Sequence, residues 1–286
     1  MPELPEVETI VRDLRPQLTG RVVLNAFAAL PGVLRHPDPS SFGERLRGRA
    51  LARVGRQGKF IMIDLAGPGE PPPEQPGPED ELLVVHLGMT GRLGLADPEA
   101  ELPPHTHLRL LLSSGAELRM QDYRRFGRVL LGRRAELLTA GALPPLGPEP
   151  FGGMLTYPMF SATLRRSRRA VKALLLDQAA IAGLGNIYCD EACFRAGVRP
   201  TAIAARLGPE RRRRLYDAIH AALASAVDLR GTTFDDYRDA QGEKGRNQEV
   251  LLVYGRAGRP CVTCGGRLDR TVIAGRTTVF CRRCQR

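Results

Sequence analysis

Two Cys-x2-Cys pairs near the end of the chain constrain its folding more than any other feature of the sequence. The first pair is Cys261 and Cys264, the second is Cys281 and Cys284, and sixteen residues separate them. Each pair can donate two thiolates from a tight turn, and four thiolates make the tetrahedral set of a structural Zn²⁺ ion. The alternative is two disulfides in a secreted chain, but the sequence starts without the apolar segment of a signal peptide. We therefore predict one structural zinc ion.

The charge of the chain indicates a polyanionic partner. Its 286 residues include 42 Lys and Arg against 31 Asp and Glu, a formal net charge of +11. Nucleic acid is the usual partner of such a chain, and the guanidinium fork suits phosphate, although the excess of arginine over lysine also fits genome composition alone. An anionic membrane is the competing partner. No apolar stretch approaches the roughly 20 residues of a membrane span, and we expect a soluble, cytoplasmic, monomeric protein.

The first residues, MPELPEVETI, predict a helix that begins almost at the terminus. Apolar residues recur from Val7 to Leu18 at the spacing of one helix face. Pro5 suits a first helical position, and Glu6 suits the first turn, where an anion meets the helix dipole. The terminus is therefore expected to be anchored, with Pro2 and Glu3 held in place.

The chain then changes from strand patterns to helix patterns. Short apolar runs predict strands up to about residue 131, and a proline-rich stretch at 67–80 predicts a solvated, mobile loop between two of them. Helices are expected at 157–176, 186–196 and 209–228, and we expect Asn186 to cap the second. Cys189 and Cys193 are expected to be small buried hydrophobic residues. The polar residues 230–249 predict a flexible loop.

Pro2 offers a specific chemistry if Met1 is removed, as is normal before a small residue. An α-amine is neutral in about one molecule in ten at pH 7, whereas a lysine is neutral in about one in 2,500. A neutral secondary amine attacks an aldehyde carbon and gives an iminium, which is an electron sink. Glu3 beside it can donate or accept a proton. On these residues alone, a plain helix lead-in remains the simpler interpretation.

Several short motifs in order along the chain carry a resemblance to one family. They are MPELPEVE at the start, Gly58-Lys59, HLGMTGRL at 86–93, DYRRFG at 122–127, GLGNIY at 183–188 and the terminal cysteine pairs. Together they resemble the bacterial formamidopyrimidine-DNA glycosylases, which repair 8-oxoguanine, over almost the whole chain. Each motif is modest, but their combination is specific.

The resemblance implies an α+β fold with separate domains. The expected segments are a β-sandwich-like catalytic domain with a leading helix (1–136), a linker (137–155), a helix-two-turn-helix DNA-binding domain (156–229), a lesion-capping loop (230–249) and a zinc-finger hairpin (250–286). The partner implied is damaged double-stranded DNA, and association with the nucleoid would follow.

The resemblance also implies roles for single residues. Pro2 is the expected nucleophile, Glu3 the proton donor, Lys59 the aid to β-elimination and Arg276 the residue of δ-elimination. Residues that match DNA-contacting positions of the family are His86, Met89, His105, Arg124, Phe126, Arg168 and Asn186. Of these, Met89, Arg124 and Phe126 match the trio that fills the gap left by a flipped base, although sequence alone would place Met89 and Phe126 in the core. Glu6 either tunes the site or is an ordinary first-turn glutamate.

A basic cluster without acidic residues supports DNA docking independently of the resemblance. Its members are Arg165, Arg166, Arg168, Arg169 and Lys172. The second basic run, at 211–214, is expected to be a solvated helix face.

The sequence departs from the family pattern in three ways: Tyr123 replaces a usual proline, Arg168 replaces a lysine, and Arg246-Asn247 replaces an aromatic pair.

Two alternative functions stay open. One is an endonuclease VIII-like enzyme for oxidised pyrimidines, against which Leu4 and the Arg-Arg-Phe motif argue. The other is a zinc-containing DNA-binding protein without catalytic activity.

Overall fold

A computed structural model of the chain describes residues 1–28, 32–36, 38–70 and 77–286. The chain divides into two units. The first contains Met1–Pro145 and Arg230–Gly245, and the second contains Leu146–Leu229 and Arg246–Arg286. The segment that follows the helical region thus returns to the first unit.

The first unit begins with the predicted helix. Helix α1 (Leu4–Leu18) starts one residue before Pro5, with Glu3 as its N-cap, and its apolar face from Val7 to Leu18 is buried. The Glu3 backbone N–H donates to the Glu6 carboxylate at 2.8 Å, which satisfies one of the donors that a helix start leaves without an intrahelical partner. The predicted anchoring of the terminus is confirmed.

Up to Pro145, the described residues of the first unit also form two β-sheets and two further helices. The strands and helices are β1 (Val23–Ala28), β2 (Leu34–His36), α2 (Pro39–Leu46), β3 (Ala50–Gln57), β4 (Phe60–Ala66), β5 (Glu81–His86), β6 (Arg92–Ala96), β7 (Thr106–Leu112), β8 (Glu117–Gln121), β9 (Arg128–Arg133) and α3 (Arg134–Thr139). One sheet has the strand order β2-β9-β5-β4-β3, and the other has the order β1-β7-β8-β6. Apolar side chains from both sheets and from α1 form one core, so the predicted sandwich-like domain with a leading helix is confirmed.

The proline-rich stretch joins β4 to β5, as expected, in its described parts at 67–70 and 77–80. Residues 71–76, the middle of the predicted loop, lie outside the described residues.

The second unit is helical and ends in a hairpin. Its elements are α4 (Tyr157–Arg166), α5 (Val171–Leu175), α6 (Asn186–Arg195), α7 (Pro209–Asp228), β10 (Asp269–Ile273) and β11 (Arg276–Phe280). Cys189 and Cys193 on α6 are completely buried, as predicted. The run at 211–214 lies in the first turns of α7 and is mostly exposed, which agrees with a solvated face.

The prediction of one helix at 157–176 is wrong. The chain leaves the helical conformation at Ser167, and residues 167–171 bond to the backbone of 202–205 instead. Ala205 N–H donates to the Ser167 carbonyl, and Val171 N–H donates to the Ala202 carbonyl. The periodicity misleads because apolar residues on either side of the break keep a helical spacing.

The prediction of a flexible loop at 230–249 is wrong for the base of the segment. Tyr237 packs into the core of the first unit, and Arg230 forms ion pairs with Asp13 and Asp239 at 2.7 and 2.6 Å. A short 3₁₀ turn follows at Asn247–Val250. We call residues 230–245 the capping segment, after the loop that the sequence predicts there.

Within the described residues, no helix combines the length and the apolar character needed to cross a membrane.

Candidate functional site

The start of the chain is held by one buried carboxylate. Pro2 and Glu3 are both buried, and Glu3 is only 2% exposed. The Glu6 carboxylate accepts the Glu3 N–H through one oxygen and the Thr232 N–H of the capping segment, at 2.7 Å, through the other. The Tyr237 hydroxyl donates to the Glu6 carbonyl at 3.3 Å. Glu6 therefore joins the predicted nucleophile to the base of the capping segment.

A second acidic residue of α1 connects the helix to Lys59. The Glu8 carboxylate accepts from Arg56 on β3 at 2.9 Å, and Arg56 also donates to the Gly58 carbonyl at 3.0 Å. Burial raises the pKa of Glu8, but the hydrogen bonds and charges of Arg12 and Arg56 outweigh it and hold that pKa below its usual value. Lys59 follows Gly58 in the two-residue turn between β3 and β4 and is only 6% exposed. Lys59 is therefore not a solvated surface lysine.

His86 lies at the end of β5, opposite Phe60 and next to the Lys59 turn. Burial, with the positive charges of Lys59 and Arg128, lowers the pKa of His86 to about 4, so its imidazole is neutral at neutral pH. The Gly88 N–H donates to Nδ1 at 3.2 Å, which leaves the ring proton on Nε2. A neutral ring with an Nε2–H donor suits a phosphate contact.

The three predicted gap-filling residues lie on two turns that share one buried carboxylate, Asp122. Its side chain accepts from the Thr90 hydroxyl of the first turn and, within residues 122–127, from the N–H groups of Arg124 at 3.3 Å and Gly127 at 2.6 Å. Its own N–H donates to the His105 carbonyl at 3.0 Å. Asp122 is 1% exposed. It therefore positions the segments that carry Met89, His105, Arg124 and Phe126 relative to one another.

The gap-filling residues themselves are exposed: Met89 is 39% and Phe126 is 51% exposed. The Arg124 guanidinium lies 4.8 Å from the centre of the Phe126 ring, a cation–π distance. Two residues beside them, His105 and Arg125, have positive φ angles of 64° and 57°. Such backbone strain in non-glycine residues persists where the surroundings enforce it and is common at functional sites.

Gly88 explains how closely the two turns approach. Its φ is +61°, and a Cβ atom added there would lie 2.5 Å from the Phe126 carbonyl carbon. Only glycine fits this close backbone approach without a shift.

In the second unit, the GLGNIY motif forms the turn into α6. The prediction that Asn186 caps this helix is wrong by one residue, because Gly185 is the N-cap and Asn186 begins the first turn. The Gln178 side chain braces the turn by accepting from Gly183 N–H at 2.9 Å and donating to the Leu184 carbonyl at 2.8 Å. Asn186 thus lies at a braced helix N-terminus, the position at which a protein binds phosphate most readily.

The predicted basic cluster is divided by the break between α4 and α5. Arg165, Arg166 and Arg168 are exposed, and Arg169 is exposed but bonded to Asp177 at 2.6 Å. Lys172 does not belong to this surface, and its assignment there is wrong. Lys172 is completely buried. Its ammonium group pairs with Asp190 at 2.6 Å and also donates to the Thr277 carbonyl, and these contacts offset the cost of burying its charge.

Two neighbouring acidic residues of α6 bond to the backbone of residues 250–286, which we call the zinc module. Asp190 accepts from Val279 N–H on β11 at 3.0 Å, and Glu191 accepts from the N–H groups of 252–254 at 2.9–3.0 Å. Arg276 stands exposed at the start of β11, after a turn in which Ala274 and Gly275 both have positive φ, as in a type I′ hairpin. Arg276 and Asn186 are therefore held by the same helix.

The four cysteines of the terminal pairs come together as predicted. The sulfurs of Cys261, Cys264, Cys281 and Cys284 all lie within 4.8 Å of one another. The Sγ atoms of Cys264 and Cys281 lie 3.5 Å apart, and those of Cys261 and Cys284 lie 3.9 Å apart. A tetrahedral ion with Zn–S bonds of about 2.3 Å needs sulfurs about 3.8 Å apart. All six cysteines lie in the described part of the chain, and none of them forms a disulfide. The four thiolates form a site for one structural Zn²⁺ ion.

Four residues that position the site were not predicted from the sequence: Asp122, Gln178, Asp190 and Glu191. For three of them, the neighbouring sequence was the one available indication. Asp122 opens a quoted motif, and Asp190 and Glu191 interrupt an otherwise apolar helix. A pair of acids within a buried face requires partners, because a buried charge is costly when it lacks them.

Family models match three parts of the chain. The formamidopyrimidine-DNA glycosylase N-terminal domain matches residues 1–129, the H2TH domain of the same enzymes matches residues 146–238, and a zinc finger found in FPG and IleRS matches residues 258–286. A catalytic domain followed by these two modules defines a DNA glycosylase of the helix-two-turn-helix class.

Known proteins resemble the chain over its full length. The formamidopyrimidine-DNA glycosylase of Heliobacterium modesticaldum is 43% identical over 289 residues, which cover 100% of both chains. The crystal structure of the MutM (Fpg) protein from Thermus thermophilus has a TM-score of 0.83 and 42% identity, with 99% of this chain and 98% of that chain covered. A complex of wild-type Lactococcus lactis Fpg with DNA containing N7-benzyl-Fapy-dG has a TM-score of 0.85 and 32% identity, with 99% of each chain covered. The chain belongs to the formamidopyrimidine-DNA glycosylase family.

Replacement of Cys281 by Ser is expected to abolish zinc binding, because three thiolates and a hydroxyl no longer match the four-sulfur site. Elemental analysis of purified protein should find one zinc per wild-type chain and far less than one in this variant. Cys193→Ala, which removes a buried cysteine outside the cluster, is the control and should keep one zinc. Full zinc content in Cys281→Ser would contradict the assigned ligands.

His86 is expected to stay neutral down to about pH 4 in the folded protein. Because this pKa lies below the ordinary 6.5, protonation of His86 opposes folding as the pH falls from 6.5 towards 4. An NMR titration of the imidazole signals, assigned with His86→Gln, measures the pKa directly. Lys59→Gln should raise it, and an unshifted wild-type value near 6.5 would contradict the described environment.

Asp122→Asn is expected to destabilise the protein by about 2 kcal/mol, because a buried anionic acceptor becomes an amide whose NH₂ group faces other donors. Equilibrium urea unfolding measures the change. Asp217→Asn, at an exposed pair on α7, is the control and should cost about 0.5 kcal/mol or less. Equal stability of the two variants would show that Asp122 does not organise the two turns.

Proposed function

We propose that this protein excises oxidised purines, such as 8-oxoguanine and formamidopyrimidines, with Pro2 as its nucleophile. Family membership makes it a DNA glycosylase and abasic-site lyase of base excision repair. The observation that carries the assignment of Pro2 is its place directly before the N-cap of a helix whose start is held by the buried Glu6 carboxylate. Because the substrate is chromosomal DNA, we place the enzyme on the nucleoid in the cytoplasm.

The reaction starts after the damaged nucleotide has left the base stack, since C1′ of a stacked nucleotide cannot be reached. The Pro2 nitrogen, freed of Met1, forms a bond to C1′, and the bond from C1′ to the purine breaks. The purine leaves with the electron pair of that bond and takes up the proton that the Pro2 nitrogen loses. Glu3 protonates the ring oxygen as the sugar opens, which leaves a C1′ iminium on Pro2.

The iminium then supplies the electron sink for strand cleavage. Loss of a C2′ proton, aided by Lys59, expels the 3′ phosphate by β-elimination. A second elimination, at which Arg276 contacts the departing phosphate, expels the 5′ phosphate and leaves a one-nucleotide gap. The place of Lys59 supports this role, because Arg56 ties its turn to Glu8 on the helix that begins beside Pro2.

The remaining residues bind DNA. Met89 and Phe126 fill the gap left by the flipped base, and Arg124 hydrogen-bonds the orphaned cytosine. His86 and Asn186 contact phosphates, and His105 and Arg168 also contact the DNA. The capping segment closes over the flipped purine. The zinc ion is structural, since four cysteine ligands leave no position for water.

Pro2→Gly is expected to lower 8-oxoguanine excision by about a hundredfold or more and to reduce borohydride trapping to a similar degree, because the secondary amine is lost. Glu3→Gln should lower excision by about a hundredfold through loss of the proton donor. Both variants should still bind abasic DNA, which shows that they are folded.

Excision and borohydride trapping also separate the proposed function from an oxidised-pyrimidine enzyme and from a non-catalytic DNA-binding protein. Duplexes with 8-oxoguanine opposite cytosine and duplexes with formamidopyrimidine should both be cleaved faster than duplexes with thymine glycol. Preference for thymine glycol would favour an oxidised-pyrimidine enzyme, and a wild-type protein that gives no trapped adduct would refute the catalytic assignment.

A further inference from the structure

Tyr123 connects the gap-filling turn at 122–127 to the capping segment. Its hydroxyl donates to Asp236 Oδ1 at 3.0 Å, although its side chain is 54% exposed. Both residues belong to the first unit. The hydrogen bond to Asp236, with some burial and the negative charge of Asp236, raises the pKa of Tyr123, so the phenol remains a neutral donor at physiological pH.

The turn on the Tyr123 side is rigid. Asp122, the preceding residue, is buried and accepts from Thr90, Arg124 and Gly127, as described above. The Arg125 N–H donates to the Asp122 carbonyl at 3.2 Å. The buried His107 ring donates to the same carbonyl at 2.9 Å. The Tyr123 backbone is therefore fixed, and its hydroxyl is a defined point on the surface.

The partner turn, residues 234–236, protrudes between two anchors of the capping segment. On one side, Thr232 N–H donates to Glu6, and on the other side Tyr237 packs into the core. Between them, Phe234 is 53% exposed and Asp236 is half-buried. Tyr123 thus contacts the capping segment at its protruding turn, away from its anchored base.

We propose that Tyr123 is a positioning residue for the excision of oxidised purines: its hydrogen bond to Asp236 holds the 234–236 turn against the 122–127 turn. The inference rests on the proposed function, in which one turn fills the gap and the other closes over the flipped base. The bond makes the two turns move together, so that closure over a purine and filling of the gap occur in one step. A preformed abasic site carries no purine to cover, so its cleavage does not need the bond.

Tyr123→Phe removes the hydroxyl and keeps the ring. We expect single-turnover excision of 8-oxoguanine to fall about three- to tenfold, the range for loss of one ordinary hydrogen bond at an exposed position. Cleavage at a preformed abasic site should stay within about twofold of wild type. The matched control is Tyr157→Phe, which removes another exposed tyrosine hydroxyl, bonded to the Pro209 carbonyl at 3.2 Å in the second unit. Both activities should be unchanged in the control.

Variants of Asp236 test the partner. Asp236→Ala should match the loss in Tyr123→Phe, whereas Asp236→Asn should lose less because its amide oxygen still accepts. The double variant, Tyr123→Phe with Asp236→Ala, should be no worse than either single variant, since both remove one interaction. Multiplication of the two losses, or full excision activity in Tyr123→Phe, would overturn the proposal.

Hydrogen exchange of the DNA-free protein separates this inference from the proposed function. Amides at 233–238 should exchange faster in Tyr123→Phe than in wild type, whatever the activity is. Wild-type protein without excision or abasic-site cleavage would refute the proposed function. Unchanged exchange and unchanged excision in Tyr123→Phe, with active wild type, would refute only the role of Tyr123.

Discussion

The first unit depends on the two backbone hydrogen bonds that the Glu6 carboxylate accepts. One oxygen holds the Glu3 N–H and the other holds the Thr232 N–H, so a single buried anion sets both the start of α1 and the base of the capping segment. Its position in the first turn of the helix suits a negative charge, because the helix dipole is positive there. Two residues later, Glu8 accepts from Arg56, which also donates to the β3–β4 turn that carries Lys59. The predicted nucleophile and the predicted lysine are thus positioned by two acidic residues of one helix.

The same physical device recurs in both units. Asp122 holds the gap-filling turns, and Asp190 and Glu191 hold the zinc module, each through backbone N–H groups. A buried carboxylate is costly without such donors, and with them it specifies one backbone conformation. Three of the residues that we propose to contact DNA, Met89, Arg124 and Arg276, are exposed in front of these segments. Rigid backbone behind exposed side chains suits a protein that must replace stacked bases with its own groups.

Much of this organisation could be predicted from the sequence because its signals are local. The apolar spacing from Val7 to Leu18 predicted α1, and cysteine spacing predicted the zinc site. The break between α4 and α5 could not be predicted, because it depends on hydrogen bonds from 167–171 to the distant residues 202–205. The burial of Lys172 was missed for the same reason, since its partner Asp190 lies on another helix. Motif resemblance named the proposed site residues but gave no role to Asp122, Asp190 or Glu191, the carboxylates that hold the backbone behind several of them.

The most direct test of the central claim is the identity of the atom that becomes bonded to DNA. Peptide mass spectrometry of the borohydride-reduced complex with 8-oxoguanine duplex locates that atom. The account predicts that the deoxyribose remnant is on the N-terminal peptide, attached to Pro2, with Met1 removed. A remnant on Lys59, or Met1 still present in the protein that reacts, would contradict it.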